Sequence, residues 1–92
     1  MANDYGELKL GHIVTIDVIP KYRRKGIATK LLQRIEKEFH DVGIETSYLE
    51  VRDDNMAARK LYRKLGYREV EVLEDYYSHG ENGIRLEKAL LP

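Results

Sequence analysis

Arg23, Arg24 and Lys25 stand directly before Gly26, where a β-branched run gives way to apolar residues at helical spacing. A glycine turn that opens a helix leaves the first backbone N–H groups unpaired beside the positive end of the helix dipole. With cations adjacent, such a turn suits a phosphate. Glu50 is a second candidate for chemistry, a single acid within Tyr48-Leu49-Glu50-Val51. Burial there would disfavour its charged form and suit it to act as a base, and an ion pair with Arg52 or Lys60 is the plainer alternative. His12, His40 and His79 share no metal-ligand spacing, and Glu36, Glu38 and Asp41 read as a solvated helix face. The absence of cysteine excludes disulfides, thiolate metal sites and a cysteine nucleophile.

The elements that must position these residues follow from periodicity. Residues 1–9 show no clear period and read as a loose lead-in. His12 to Ile19 is β-branched and stops at Pro20, which predicts a strand. From Gly26 to Val42, Ile27, Leu31, Leu32, Ile35 and Phe39 oppose Lys30, Arg34, Glu36, Lys37 and Glu38, the pattern of a surface helix closed by Gly43. Ser47 to Arg52 predicts a short strand. Asp53, Asp54 and Asn55 then offer N-caps for a helix buried along Ala58, Leu61 and Leu65 and ended by Gly66. Tyr67 to Leu73 restarts as a strand with Val70 and Val72 on one face. The loop from Tyr76 to Gly83 is too long for a tight turn, and Ile84, Leu86 and Leu90 alternate in a last strand. The order β-α-β-α-β-β predicts an α/β or mixed α+β fold, with helices packed on a central mixed sheet and the first three strands placed together by right-handed crossovers.

Composition narrows the functional classes. The 92 residues fit one domain with a thin core. Sixteen basic and sixteen acidic residues cancel, so no global field favours nucleic acid or an anionic membrane, and the basic turn must act locally on a small polyanion. No apolar run approaches the ~18 residues of a membrane span, and the start lacks a signal pattern, from which a soluble cytoplasmic location is expected. Gly26 is the only glycine in its turn, so Gly-x-Gly-x-x-Gly and Gly-Lys-Ser/Thr are absent, and dinucleotide binding and nucleotide hydrolysis are disfavoured.

Arg23-x-x-Gly26-x-Ala28, placed after Val18-Ile19-Pro20, resembles the acetyl-CoA signature of the GNAT acetyltransferases. Leu49-Glu50-Val51-Arg52, Asn55, Ala57-Ala58, Leu61-Tyr62 and Leu65-Gly66-Tyr67 resemble in order and spacing the ribosomal-protein alanine and Ard1-type N-terminal acetyltransferases, and Tyr76-Tyr77 before Gly80-Glu81 is similar to the hairpin of that branch. The likeness runs from Gly11 to Pro92. It implies that residues 1–92 form one GNAT domain, short at the N-terminus, that transfers acetyl from acetyl-CoA to a protein or peptide N-terminal amine by direct attack in a ternary complex.

The resemblance assigns the pyrophosphate to the N–H groups of Arg24, Lys25, Gly26, Ile27, Ala28 and Thr29, with charge from Arg23, Arg24 and Lys25. It gives the pantetheine arm to the amides of Ile16, Asp17 and Val18, and the cofactor's amide portion to Asn55, which as a plain helix cap needs no ligand. Glu50 becomes the base, through water. Tyr62 becomes the acid for the departing thiolate, with packing beside Leu61 and Leu65 as its alternative. Tyr76 and Tyr77 would line the acceptor site, or else stand exposed on a loop without partners. An α-amine is about one-tenth neutral at pH 7, whereas a lysine amine is neutral in fewer than about one molecule in a thousand, so the first is the tractable acceptor. Two departures stand out: the family's upstream elements have almost no counterpart here, and Asn82-Gly83 replaces the usual acidic residue and alanine. A homodimer is expected, its partner covering an open strand edge. The alternatives are a module that binds CoA without turnover or needs a partner subunit, and a small interaction domain using its basic turn.

Overall fold

A computed structural model of the chain describes residues 9–13 and 26–90, the side chains of Ile27 and Ala28 excepted. Its elements are β1 (Leu10–Ile13), α1 (Ile27–Asp41), β2 (Thr46–Arg52), α2 (Met56–Lys64), β3 (Arg68–Leu73), a 3-10 turn (Ser78–Gly80) and β4 (Gly83–Ala89). The fold is mixed α+β. The strands hydrogen-bond in the order β1-β2-β4-β3, so β4 lies between β2 and β3, which the predicted grouping of the first three strands did not anticipate. The chain divides into two compact units, residues 1–47 with 89–92, and residues 48–88.

In the first unit, β1 alternates exposed and buried positions, with Ile13 buried. A side chain at Gly11 would meet the Phe39 ring of α1 at 2.5 Å, so glycine is what lets the helix close onto the strand. Leu32 carries the buried face of α1, while Leu31, placed on that stripe by periodicity, is exposed. The helix ends through Gly43 at φ 86°, with Gly43 N–H donating to His40 O at 3.0 Å and Ile44 N–H to Phe39 O at 2.9 Å. These two bonds satisfy carbonyls the helix would otherwise leave open. Glu45 and Thr46 then donate to Lys9 O, leading into β2.

In the second unit, Leu49 and Val51 of β2 join Tyr62, Tyr67, Ile84 and Leu86 in the core. Asn55 wins the competition for the α2 cap: its Oδ1 accepts from Ala58 N–H at 3.1 Å. Tyr62 is the fully buried residue of α2, and the predicted stripe of Ala58, Leu61 and Leu65 is half-buried. Its ring meets Tyr67 edge-on at 5.9 Å, and Tyr67 N–H donates to Tyr62 O at 2.9 Å while Gly66 takes φ 102°, so one aromatic pair seals the helix end. β3 pairs antiparallel with β4, but the register slips between Glu69 and Glu71, leaving Val70 as an extra, unpaired residue. Val70 and Val72, predicted to share one face, are both exposed. Arg59 of α2 grips Glu69 of β3 with two bonds, 2.8 and 2.9 Å, and donates to Asp53 O at 2.7 Å.

Candidate active site

β2 and β4 assemble a charged centre in the second unit. Because Leu49 and Val51 face the core, Glu50 between them shares the opposite face with Tyr48. Asp53 N–H donates to Asn82 O at 3.0 Å, an antiparallel register that sets Glu50 across from Arg85. Arg85 Nε lies 3.7 Å from Glu50 Oε2, its Nη1 lies 3.6 Å from Glu71 Oε1 on β3, and its guanidinium carbon is 5.0 Å from the centre of the Tyr48 ring. The Glu50 side chain is 6% exposed and that of Arg85 34%. A carboxylate so deeply buried is costly unless a cation stands beside it, and Arg85 is that cation. The expected pairing of Glu50 with Arg52 or Lys60 is replaced: Arg52 pairs with Glu81, and with Asp54 at 3.6 Å. Arg85 Nε is itself buried and has no hydrogen-bond acceptor.

The hairpin brings two tyrosines to this face. The Tyr76 and Tyr77 rings meet edge-on at 4.9 Å, and the charge of Glu50 acts on the Tyr76 hydroxyl. Burial, then the Glu50 charge, pushes the Tyr76 phenol above its ordinary value, against the pull of Arg85. Burial and the neighbours Tyr76 and Glu50 push Tyr77 the same way, opposed by Arg52. Tyr76 is exposed, as the plainer alternative has it, and its ring rests against that of the half-buried Tyr77. The hairpin holds its shape through Tyr77 N–H to Glu81 O at 2.9 Å, Asp75 N–H to Asn82 Oδ1 at 3.0 Å, and positive φ at Asp75, His79 and Gly80. A side chain at Gly83 would come within 3.1 Å of Tyr76 and 3.2 Å of Tyr77, so this glycine seats both rings against β4.

In the first unit, Gly26 caps α1 at φ 72° and, having no side chain, gives no cap hydrogen bond to the amides that follow. The first turn holds no acid, and among the described residues a side chain placed on Gly26 would meet nothing within 4 Å. The backbone amides of Ile27, Ala28 and Thr29 thus start a helix of 15 residues with the dipole's positive end unneutralised by any carboxylate of that turn. These features fit a phosphate group. Ile16, Asp17, Val18, Arg23, Arg24 and Lys25, the remaining residues expected at the cofactor, lie outside the described residues. Asn55 is committed to its cap, and Tyr62 to its ring contact with Tyr67.

The Acetyltransferase (GNAT) family profile matches residues 1–67. The chain belongs to the GNAT acetyltransferase family. This GNAT chain is 50% identical over 76 residues to an N-alpha-acetyltransferase of Sulfurisphaera tokodaii, a match that covers 82% of the chain and 46% of the relative. Among solved structures it superposes on Ard1 from Thermoplasma volcanium with a TM-score of 0.87 and 26% identity, covering 91% of this chain and 57% of that one. A NatC complex bound to Gag peptide and CoA gives 0.82 and 27%, over 89% and 52%. The chain spans about half the length of the curated relatives it matches.

Arg85 and Glu71 are members of the site that the motifs did not single out, and in the sequence Gly83 marks only a departure from the family's hairpin. Strand alternation alone puts Arg85 opposite the core side of Ile84 and Leu86, but its meeting with Glu50 depends on β4 inserting beside β2. Among the described residues there is no group of three or more candidate metal ligands, and no helix is long and apolar enough to cross a membrane.

Proposed function

We propose that this chain carries out acetyl-CoA-dependent acetylation of a protein or peptide N-terminal α-amine, in a ternary complex. The observation that carries this reading is Glu50, a buried carboxyl set among Tyr48, Tyr76, Tyr77 and Arg85 within a fold whose relatives include N-alpha-acetyltransferases. The amides from Gly26 to Thr29 would hold the diphosphate of CoA, aided by Arg23, Arg24 and Lys25, with Ile16, Asp17, Val18 and Asn55 along the rest of the cofactor. Bound acetyl-CoA supplies an activated thioester, and this chain's residues do the rest. Glu50 accepts the amine proton, through water. Tyr76 and Tyr77 line the acceptor site. Tyr62, fixed by its contact with Tyr67, supplies a proton to the leaving thiolate. A homodimer and a cytoplasmic location, the latter in keeping with the absence of cysteine, belong to the same proposal.

Thiol release from acetyl-CoA with a free-amine peptide tests the reading. Glu50→Gln and Tyr62→Phe are each expected to cut turnover about a hundredfold, the scale of proton transfer by a positioned side chain, with CoA affinity retained. Undiminished turnover in both variants refutes the assigned roles, and CoA binding with no thiol release in the unaltered chain selects the binding-only alternative.

A further inference from the structure

A carboxylate working alone beside an amine defeats itself, because its charge favours the ammonium form, which has no lone pair with which to attack. The face that holds Glu50 carries a corrective charge. Arg85 Nε stands 3.7 Å from Glu50 Oε2 and is buried without a hydrogen-bond acceptor. Other described groups share this face with Glu50. Tyr48 and Arg52 share its strand, Arg52 being committed to Glu81 and Asp54; Tyr76 and Tyr77 come from the hairpin; Glu71 on β3 reaches the outer Nη1 of Arg85 and is itself 55% exposed.

We infer that Arg85 is a positioning residue that sets acceptor specificity: its charge beside Glu50 makes the acceptor amine less basic, so a peptide α-amine docks neutral and gives its proton to solvent. The inference rests on the reading proposed above. It follows that Arg85 also works against lysine ε-amines, whose protons are held about two pH units more tightly than those of α-amines. The cation raises the cost of placing any ammonium on this face, and only the less basic amine sheds its charge at neutral pH.

Calorimetry on the whole chain saturated with CoA tests this, using a short peptide with a free N-terminal alanine in two buffers of different ionisation enthalpy. At about pH 6.5 the unaltered chain is expected to release about one proton per peptide bound, since the free amine is then almost wholly protonated. Arg85→Met should release far less and bind the peptide several-fold more tightly. Its turnover should fall near neutrality, with the acid limb of the kcat profile moved to higher pH. Arg85→Lys should restore both proton release and profile, and Arg85→Gln, which keeps hydrogen bonding without charge, should behave as Arg85→Met does. Equal proton release by the unaltered chain and the two uncharged variants, each with unchanged circular dichroism, overturns the inference and leaves the proposed activity standing. No peptide heat from the unaltered chain overturns both.

Discussion

Tyr76 reports on the charge balance around Glu50, because its phenol feels the two members of the pair in opposite directions. Burial and the Glu50 charge hold its proton, while Arg85 loosens it. Tyrosine carbon resonances followed with pH should therefore show Tyr76 titrating above the usual ~10. Glu50→Gln should bring that midpoint down, and Arg85→Met should push it higher. Movement in the reverse sense would mean that the Glu50 charge does not act on Tyr76. This measurement needs neither cofactor nor acceptor, so it examines the site's electrostatics apart from its chemistry. It also separates two readings that the residue types alone leave open, an acid held for structure by a neighbouring cation and an acid held so that a proton can be passed.

At the scale of elements, α2 is tied to β3 by Arg59 and Glu69, both 22% exposed. The double hydrogen bond from Arg59, then the charges of Arg59 and Arg63, hold the Glu69 carboxyl below its ordinary value against the opposing effect of partial burial. A group whose folded value is depressed contributes stability above its unfolded value of about 4.3, and that contribution fades as pH falls through it toward the folded value. Urea melts between about pH 6 and about pH 3 should accordingly show stability falling more steeply in the natural chain than in Arg59→Met. Identical slopes would mean that the pair does not link the helix to the strand. The same two elements show how far pattern reading goes. Gly66 and the run Asp53-Asp54-Asn55 mark the ends of α2 from sequence alone, because cap chemistry is local, and the structure selects Asn55 among the three. The exposure of Val70 and Val72 was not legible, because a bulge is set by pairing with β4 and leaves no mark on the alternation of β3 itself.

Across the whole molecule, what the sequence disclosed was local and what it hid was long-range. The turn at Gly26, the acid at Glu50 and the tyrosine pair stand out by residue type and spacing. Arg85 takes its place at the site from β4 lying beside β2, and Gly83, read as part of the loop, takes its own from the two rings set against it. The turn at Gly26 offers the test on which the cofactor assignment depends, and ligand binding reads it out as stability of the entire chain. Acetyl-CoA at about 100 times its dissociation constant should stabilise the folded protein by about 2.7 kcal/mol and raise Tm. At φ 72°, valine at Gly26 strains the backbone by about 1–2 kcal/mol, whereas asparagine tolerates that conformation. Among the described residues nothing lies within 4 Å of the added Cβ, so an asparagine there is expected to intrude on a ligand held at these amides. Gly26→Asn should therefore melt with the natural chain in buffer and lose most of the rise given by acetyl-CoA, while Gly26→Val should melt lower in both conditions. If Gly26→Asn keeps the full rise, the opening of α1 does not hold the diphosphate.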